Sequence, residues 1–325
     1  MRTQKIVQRK SKKPKRAKKI ILGILVVLLL TVVGGLLYVP HMVMKDMVNM
    51  HVNHKKIHSG EDYRLMTDKV ELMTEDGLKI VAQEVLVDKP KAMVIFLSGI
   101  HNPSVTAYFG HGKMLKDNGY GSLLVDLRAH GESEGEVIGL GYKEYLDVKA
   151  AVEYIEDKYS DIPIVIFGVS MGGATAINSI GEIEEIDGLI SMSAYSSFED
   201  VFYENMINMD APEVYAKLQK PFVKVYTAYK YGPKAFSMNP KNQIKKLGDR
   251  PALLMHSKED SQVSFENFER IMKNAPKHVQ TLIVEGDEHM ILSTDEEFEN
   301  PLLNEEYSNK ILNFMKKNFD GKKKD

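Results

Sequence analysis

Not one cysteine occurs among the 325 residues. That excludes disulfide frameworks, thiolate zinc or iron–sulfur sites and any cysteine nucleophile. Acidic residues are missing from one long stretch: residues 1–39 hold ten Lys/Arg and no Asp or Glu. The remainder carries 33 basic against 45 acidic residues, so a net charge of −2 conceals a body at −12. A body without clustered Lys/Arg is a poor nucleic-acid binder, because duplex binding depends on displacing counterions. Repeats are absent, and low complexity is confined to the basic head and the Lys322–Lys324 tail. The composition is 43% hydrophobic and 27% charged, enough for a sizeable core and too apolar for wholesale disorder.

Charge is also missing from Ile20–Val39, IILGILVVLLLTVVGGLLYV. At about 1.5 Å per residue this run spans roughly 30 Å, the hydrocarbon thickness of a bilayer. A cleaved signal has a shorter apolar region of ~7–15 residues and a small-x-small site, which the following LLYVPHMVMK does not offer. An uncleaved anchor is the expectation. The basic residues precede the span and only Lys45, Lys55 and Lys56 follow it closely. Positive charge stays inside, so a single-pass cell-membrane topology is expected, with a cytoplasmic N-terminus and the body outside. The chain then divides into a basic arm (1–19), an anchor (20–39), a stalk (40–61) and a globular domain (62–325). His51, His54 and His58 fall at i, i+3 and i+7 of a possible helix in the stalk, with His41 nearby. No carboxylate set accompanies them, so they read as solvated histidines and no metal is expected.

In the globular part, KVELMTEDGLKIVAQEVLV reads as two alternating strands joined at Glu75-Asp76-Gly77. Short apolar runs follow at Ala92–Leu97, Gly121–Asp126, Ile162–Gly168, Asp187–Met192, Pro251–His256 and Gln280–Val284. They are apolar on both faces, as buried parallel strands are. Helical spacing marks Tyr142–Tyr159 and Glu306–Phe319. The alternation predicts an α/β architecture: a mostly parallel sheet, helices on both faces and an antiparallel hairpin in front. Residues 198–247 interrupt it. This insertion is rich in aromatics, among them Phe198, Phe202, Tyr215, Phe222, Tyr226, Tyr229 and Phe236, and reads as a helical cap. Its rings either glue the cap to the body or line an acyl pocket.

Directly after the strand IPIVIF comes Gly168-Val169-Ser170-Met171-Gly172. The pattern G-x-S-x-G alone is weak, but a strand-to-helix junction is where its chemistry works. Flanking glycines let the serine take a strained turn that lifts its hydroxyl off the sheet, and the next helix presents its N-terminus to a developing oxyanion. A serine needs a base and an orienting acid. With this motif the chain resembles an α/β-hydrolase-fold serine hydrolase, of esterase/lipase or serine aminopeptidase type, from about Glu71 to Phe319.

The resemblance implies a nucleophile–acid–base order along the chain, met here by Ser170, Asp260 in LLMHSKEDSQVS, and His289 in VEGDEHM. His130 and His256 are the rival bases, and Glu199 or Asp200 occupies a variant acid position. It also implies an oxyanion hole from the backbone N–H groups of Met171 and Ile100, the latter in Leu97-Ser98-Gly99-Ile100-His101-Asn102, where Ser-Gly replaces the usual His-Gly. Asp126-Leu127-Arg128-Ala129-His130-Gly131-Glu132-Ser133 resembles the D-x-R-G-H-G-x-S loop of such folds, with Ala129 for Gly, and reads as scaffolding with Arg128 and Asp126 paired.

The implied function is a membrane-anchored hydrolase of carboxylic esters or related acyl compounds, needing no cofactor. Its partners are a small acyl substrate and the bilayer, with no nucleic acid. One alternative is an aminopeptidase-like enzyme whose cap carboxylates (Glu199, Asp200, Glu204, Asp210, Glu213) would hold a substrate ammonium. Another is a non-catalytic binding protein on the same fold.

Overall fold

A computed structural model describes residues 14–321. The basic arm as far as Lys13 and the Lys322–Lys324 tail lie outside the described residues. Eight strands among those described form one sheet: β1 (Thr67–Met73), β2 (Lys79–Val85), β3 (Met93–Leu97), β4 (Gly121–Val125), β5 (Ile164–Val169), β6 (Gly188–Met192), β7 (Ala252–Ser257) and β8 (Gln280–Val284). Their order is β1-β2-β4-β3-β5-β6-β7-β8. β2 pairs antiparallel with β1 and β4, and every pairing from β4 to β8 is parallel. The α-helices are α1 (Pro14–Val48), α2 (Phe109–Lys116), α3 (Tyr145–Lys158), α4 (Met171–Ile180), α5 (Phe198–Asn208), α6 (Glu213–Tyr231), α7 (Pro240–Gln243), α8 (Phe265–Met272), α9 (Asp295–Glu299) and α10 (Glu305–Phe319).

Strands β3 to β7 are buried throughout, which is why their sequences do not alternate. Alternation in direction remains. Met93, Ile95 and Leu97 of β3 point into one core with Val148 and Val152 of α3 and Ile177 of α4. Val94 and Phe96 point into the other with Met114 of α2 and Phe314 of α10. Strand order reverses at β3: its successor β4 lies on one side and β5 on the other. Loops leaving β3 and β5 thus diverge from a crevice at their carboxyl ends, the place where open α/β sheets bind ligands.

Two expectations are corrected. Residues 40–61 are no free stalk. α1 runs unbroken through Pro40 to Val48, and Met44, Val48 and Val52 are buried in the same core as β3. The Val52 N–H donates to the Ala129 carbonyl at 2.8 Å, and the Gly131 N–H donates to the Val52 carbonyl at 3.0 Å. Apolar side chains placed at helical spacing just beyond the span had a core to join. Residues 51–58 are not helical, so the three histidines share no helix face. His51 Nδ1 lies 3.0 Å from the Gly135 carbonyl and Nε2 2.9 Å from that of Gly131, two acceptors that favour the doubly protonated ring, and the Gly135 bond above all raises its pKa. His54 stacks on His130, and His58 faces Glu299.

Arg128 and Asp126 do not pair. Arg128 forks onto two other carboxylates, Asp147 on α3 (Nη2–Oδ1 2.7 Å) and Asp76 in the hairpin turn (Nη1–Oδ2 2.8 Å). Asp147 is fully buried and also accepts the Arg128 backbone N–H. Asp126 is instead pushed up to about 6 by burial and accepts the Glu132 N–H at 3.1 Å.

The first part of the span Ile20–Val39, as far as Leu30, is a bare helix surface, with its large apolar side chains 46–64% exposed. By length and composition it suits a bilayer, and its burial does not suit a core helix. The insertion is helical, as expected: α5, α6 and α7 lie between β6 and β7, and Phe198 and Phe202 are buried under it.

Candidate active site

Ser170 sits between the last residue of β5 and the first of α4 with φ 55° and ψ −119°. A non-glycine residue there is strained, and the surroundings hold it. Its N–H donates to the Met192 carbonyl of β6 and its own carbonyl accepts from Ala174. Glycine is required on both sides. A methyl on Gly168 would lie 2.1 Å from the Gly172 carbonyl oxygen, and one on Gly172 would lie 2.4 Å from those of Leu97 and Ser98. The sharp turn and the close packing of α4 on the loop after β3 depend on those missing methyls. Met171 is the first residue of α4, so its N–H is among those no intrahelical carbonyl reaches.

Asp260 follows β7 by three residues, and its side chain is fully buried. Oδ1 accepts the backbone N–H groups of Gln262 and Val263, both at 2.9 Å. Oδ2 is thereby aimed at His289, whose Nδ1 lies 2.8 Å away. His289 belongs to the loop after β8, which Ser257 ties down by donating to the Glu288 carbonyl at 2.6 Å. Ser170 and His289 face one cavity of about 250 Å3, together with Ile100, His101, Gln262 and Met290. Ser170, Ile100 and His289 thus line one cavity at the β3/β5 crevice, Asp260 meets His289 from behind it, and Met171 follows Ser170 directly in the chain.

The rivals line neither this cavity nor the two larger ones that Gln262 also borders. His256 is buried, donates to the Val263 carbonyl at 2.8 Å and stands 3.6 Å from Asp260 Oδ2, with burial lowering its pKa. His130 is a support: its Nε2 lies 2.6 Å from the Ile100 carbonyl and its Nδ1 2.8 Å from that of Arg128. It pins the loop that carries the Ile100 N–H. Asp200 meets Lys220 and Lys241. Burial works against its charge, but hydrogen bonds from Lys220, Lys241 and Ser197 outweigh that and hold it well below the carboxylate range.

Sequence reasoning missed Gln262 and His101. Gln262 borders this cavity and two larger ones, of about 850 and 750 Å3. The larger is a cleft lined by Lys55, Lys56 and His58 together with Glu288, Asp295 and Glu299, the last of which meets Lys56 and His58. The two-residue offset of Gln262 from Asp260 is the signal of an Asx turn and marked it as structurally adjacent. His101 donates from Nε2 to the Met47 carbonyl of α1 at 3.2 Å, a contact no local pattern announces.

Residues 88–248 match the family described as serine aminopeptidase, S33. A curated relative, the uncharacterized protein YqkD of Bacillus subtilis (strain 168), is 26% identical over 213 residues, 64% of this chain and 67% of that one. Among solved structures, the Pyrococcus furiosus esterase Pf2001 superposes with a TM-score of 0.63 at 24% identity, covering 83% of this chain and 98% of its own. The α/β hydrolase GrgF from Penicillium sp. sh18 gives 0.60 at 15%, covering 79% and 100%. With this sheet order, this strand-to-helix serine and these matches, the chain has an α/β-hydrolase fold.

Proposed function

We propose that the protein is a membrane-anchored serine hydrolase that cleaves carboxylic esters through an acyl-enzyme. The observation that carries the reading is the shared cavity of Ser170 and His289, with Asp260 hydrogen-bonded to the far side of the imidazole. His289 Nδ1–H donates to Asp260, so Nε2 is left with the lone pair that takes the Ser170 proton. Ser170 Oγ attacks the carbonyl carbon, and the oxyanion forms beside the N–H groups of Met171 and Ile100. The protonated imidazole passes its proton to the leaving alcohol as the ester C–O bond breaks. Water, deprotonated by the same ring, then releases the acid and restores Ser170.

The peptidase reading has the family match in its favour. It needs a carboxylate free to meet a substrate ammonium. Of the five cap carboxylates four are already engaged, Asp200 by two lysines, Glu199 by Lys241 at 3.8 Å, Glu204 by Arg270 and Asn267, and Glu213 by Lys217, and Asp210 is exposed in the turn after α5. Those pairings favour an uncharged acyl substrate, so ester hydrolysis leads. Ile20–Val39 serves as the anchor, and the ten basic residues before it keep the N-terminus on the cytoplasmic side and the domain outside.

The test is labelling of the full chain with a fluorophosphonate, followed by turnover of p-nitrophenyl esters against aminoacyl-anilides. Labelling of Ser170 with ester turnover is the expected result. Anilide turnover alone would transfer the proposal to peptidases, and an unlabelled, folded protein would make it a binding module.

A further inference from the structure

The cap aromatics fulfil only part of either role assigned to them. Phe198 and Phe202 are buried, but Tyr229 is 86% exposed and lines none of the three cavities. It belongs to a stripe on α6. Val214 (82% exposed), Leu218, Val225 and Tyr229 are all exposed, and at 3.6 residues per turn they lie within about 60° of arc. A second face of the same helix, with Ala216, Val223 and Thr227, is buried against the body. α6 is therefore apolar inward and again outward, which an ordinary surface helix is not.

The neighbour of the outward stripe is α1. Tyr226, at the stripe's edge, meets His41 (Oη–Nδ1 3.1 Å), and Lys230 bonds Asn49. Walking back along α6 from Lys230 to Tyr226 thus walks along α1 from residue 49 toward the end of the apolar run at Val39. Twelve further residues to Val214 extend up to about 18 Å in that direction. On the stripe's other flank stand Lys217 and Lys224; α6 has four lysines and one acidic residue. The turn before α6, at the end of α5, adds Met209, 81% exposed.

We propose that α6 is a second membrane contact. Its outward stripe sinks into the interfacial layer of the leaflet from which α1 emerges, Tyr229 and Tyr226 lie at headgroup level, and Lys224 on the flank meets anionic lipid. The occupant is the bilayer because the stripe continues the surface of the apolar helix that enters it and carries the complementary charge. The proposal rests on reading Ile20–Val39 as a membrane span.

The absence of native cysteine allows a direct test. Single substitutions Leu218→Cys, Val225→Cys, Val32→Cys in the span and Val137→Cys on the body are labelled with nitrobenzoxadiazole. The full chain is reconstituted in phosphatidylcholine–phosphatidylglycerol vesicles. Labels at 218 and 225 should lose most of their emission to brominated lipid and resist aqueous iodide, as at 32, whereas the label at 137 should do the reverse. Lipid quenching at 32 with iodide quenching at 218 and 225 overturns the interfacial contact and leaves the anchor standing. Protection at 218 and 225 from both quenchers also overturns it, in favour of a protein partner or a second copy. Iodide access at 32 removes the anchor, and the proposal with it.

Discussion

Asp260 holds His289 by one carboxylate oxygen, Oδ2 to Nδ1 at 2.8 Å, while its other oxygen is fixed by the amides of Gln262 and Val263. The acid is thus locked before it meets the base. Asp260→Asn keeps the size and can present its amide to Nδ1, which reverses the tautomer and leaves Nε2 protonated. Ester turnover should fall about 10⁴-fold with the fold intact. Ser170→Ala should remove fluorophosphonate labelling altogether. Retention of near-normal turnover by the Asp260→Asn protein would sink the triad assignment.

A separate expectation attaches to His130, which touches no substrate cavity and binds the Ile100 carbonyl. It is a positioning residue for the oxyanion loop. His130→Phe should lower kcat per fluorophosphonate-titrated site while KM stays put. The loss should be smaller than the roughly 10²–10³-fold for an oxyanion donor removed outright. His130→Gln keeps a donor and should recover part of it. A fall in the number of titratable sites at constant kcat per site would assign His130 to folding alone.

Histidines whose pKa is lowered by burial should each subtract stability as pH falls. Burial, with smaller contributions from His130 and His51, lowers His54 to about 4, and burial lowers His111 to about 3. His256 shifts the same way. Unfolded histidine takes a proton near 6.5, so between roughly pH 6.5 and 4 the unfolded chain binds more protons and folded stability drops as pH falls. His51 acts oppositely: its contribution is full below its unfolded value and is lost as pH rises through the folded one. Asp126 and Asp147, both pushed up by burial, also oppose the three in this window, so the His54 increment rather than the net slope is what a substitution isolates. His54→Phe should flatten the fall of Tm from about pH 7 to about pH 5; an unchanged slope would contradict the assignment.

The end of α1 makes a further claim open to measurement. Met44→Ala should cost about 2–5 kcal/mol of domain stability, because its side chain is fully buried in the core. Val26→Ala, on the exposed part of the same helix, should leave the domain's melting unchanged. Equal effects at both positions would mean that the helix is not shared between span and core.

These residues also show how far the sequence could be read. Hydrophobic runs located all eight strands within about two residues, because parallel strands buried on both faces cannot hide among polar positions. The elbow was legible for a similar reason, since Gly168 and Gly172 leave no room for a side chain. Long-range pairings were not. Arg128 found Asp147 and Asp76, 19 and 52 residues away, rather than Asp126 two residues away. Proximity in sequence says little about a guanidinium on a loop, whose reach is set by the packing of α3 and the hairpin around it. The packing of residues 40–61 was missed likewise: Met and Val beyond a span look like a tether until a core is there to receive them.

That packing fixes the working height of the enzyme. Nine helical residues, Pro40–Val48, separate the end of the apolar run from the loop at residue 49, a rise of about 13 Å. Because Met44 and Val48 are shared with the core, the catalytic body has no leash on which to swing. With Ile20–Val39 in a bilayer, the Ser170 cavity would be held at a set distance from the lipid surface.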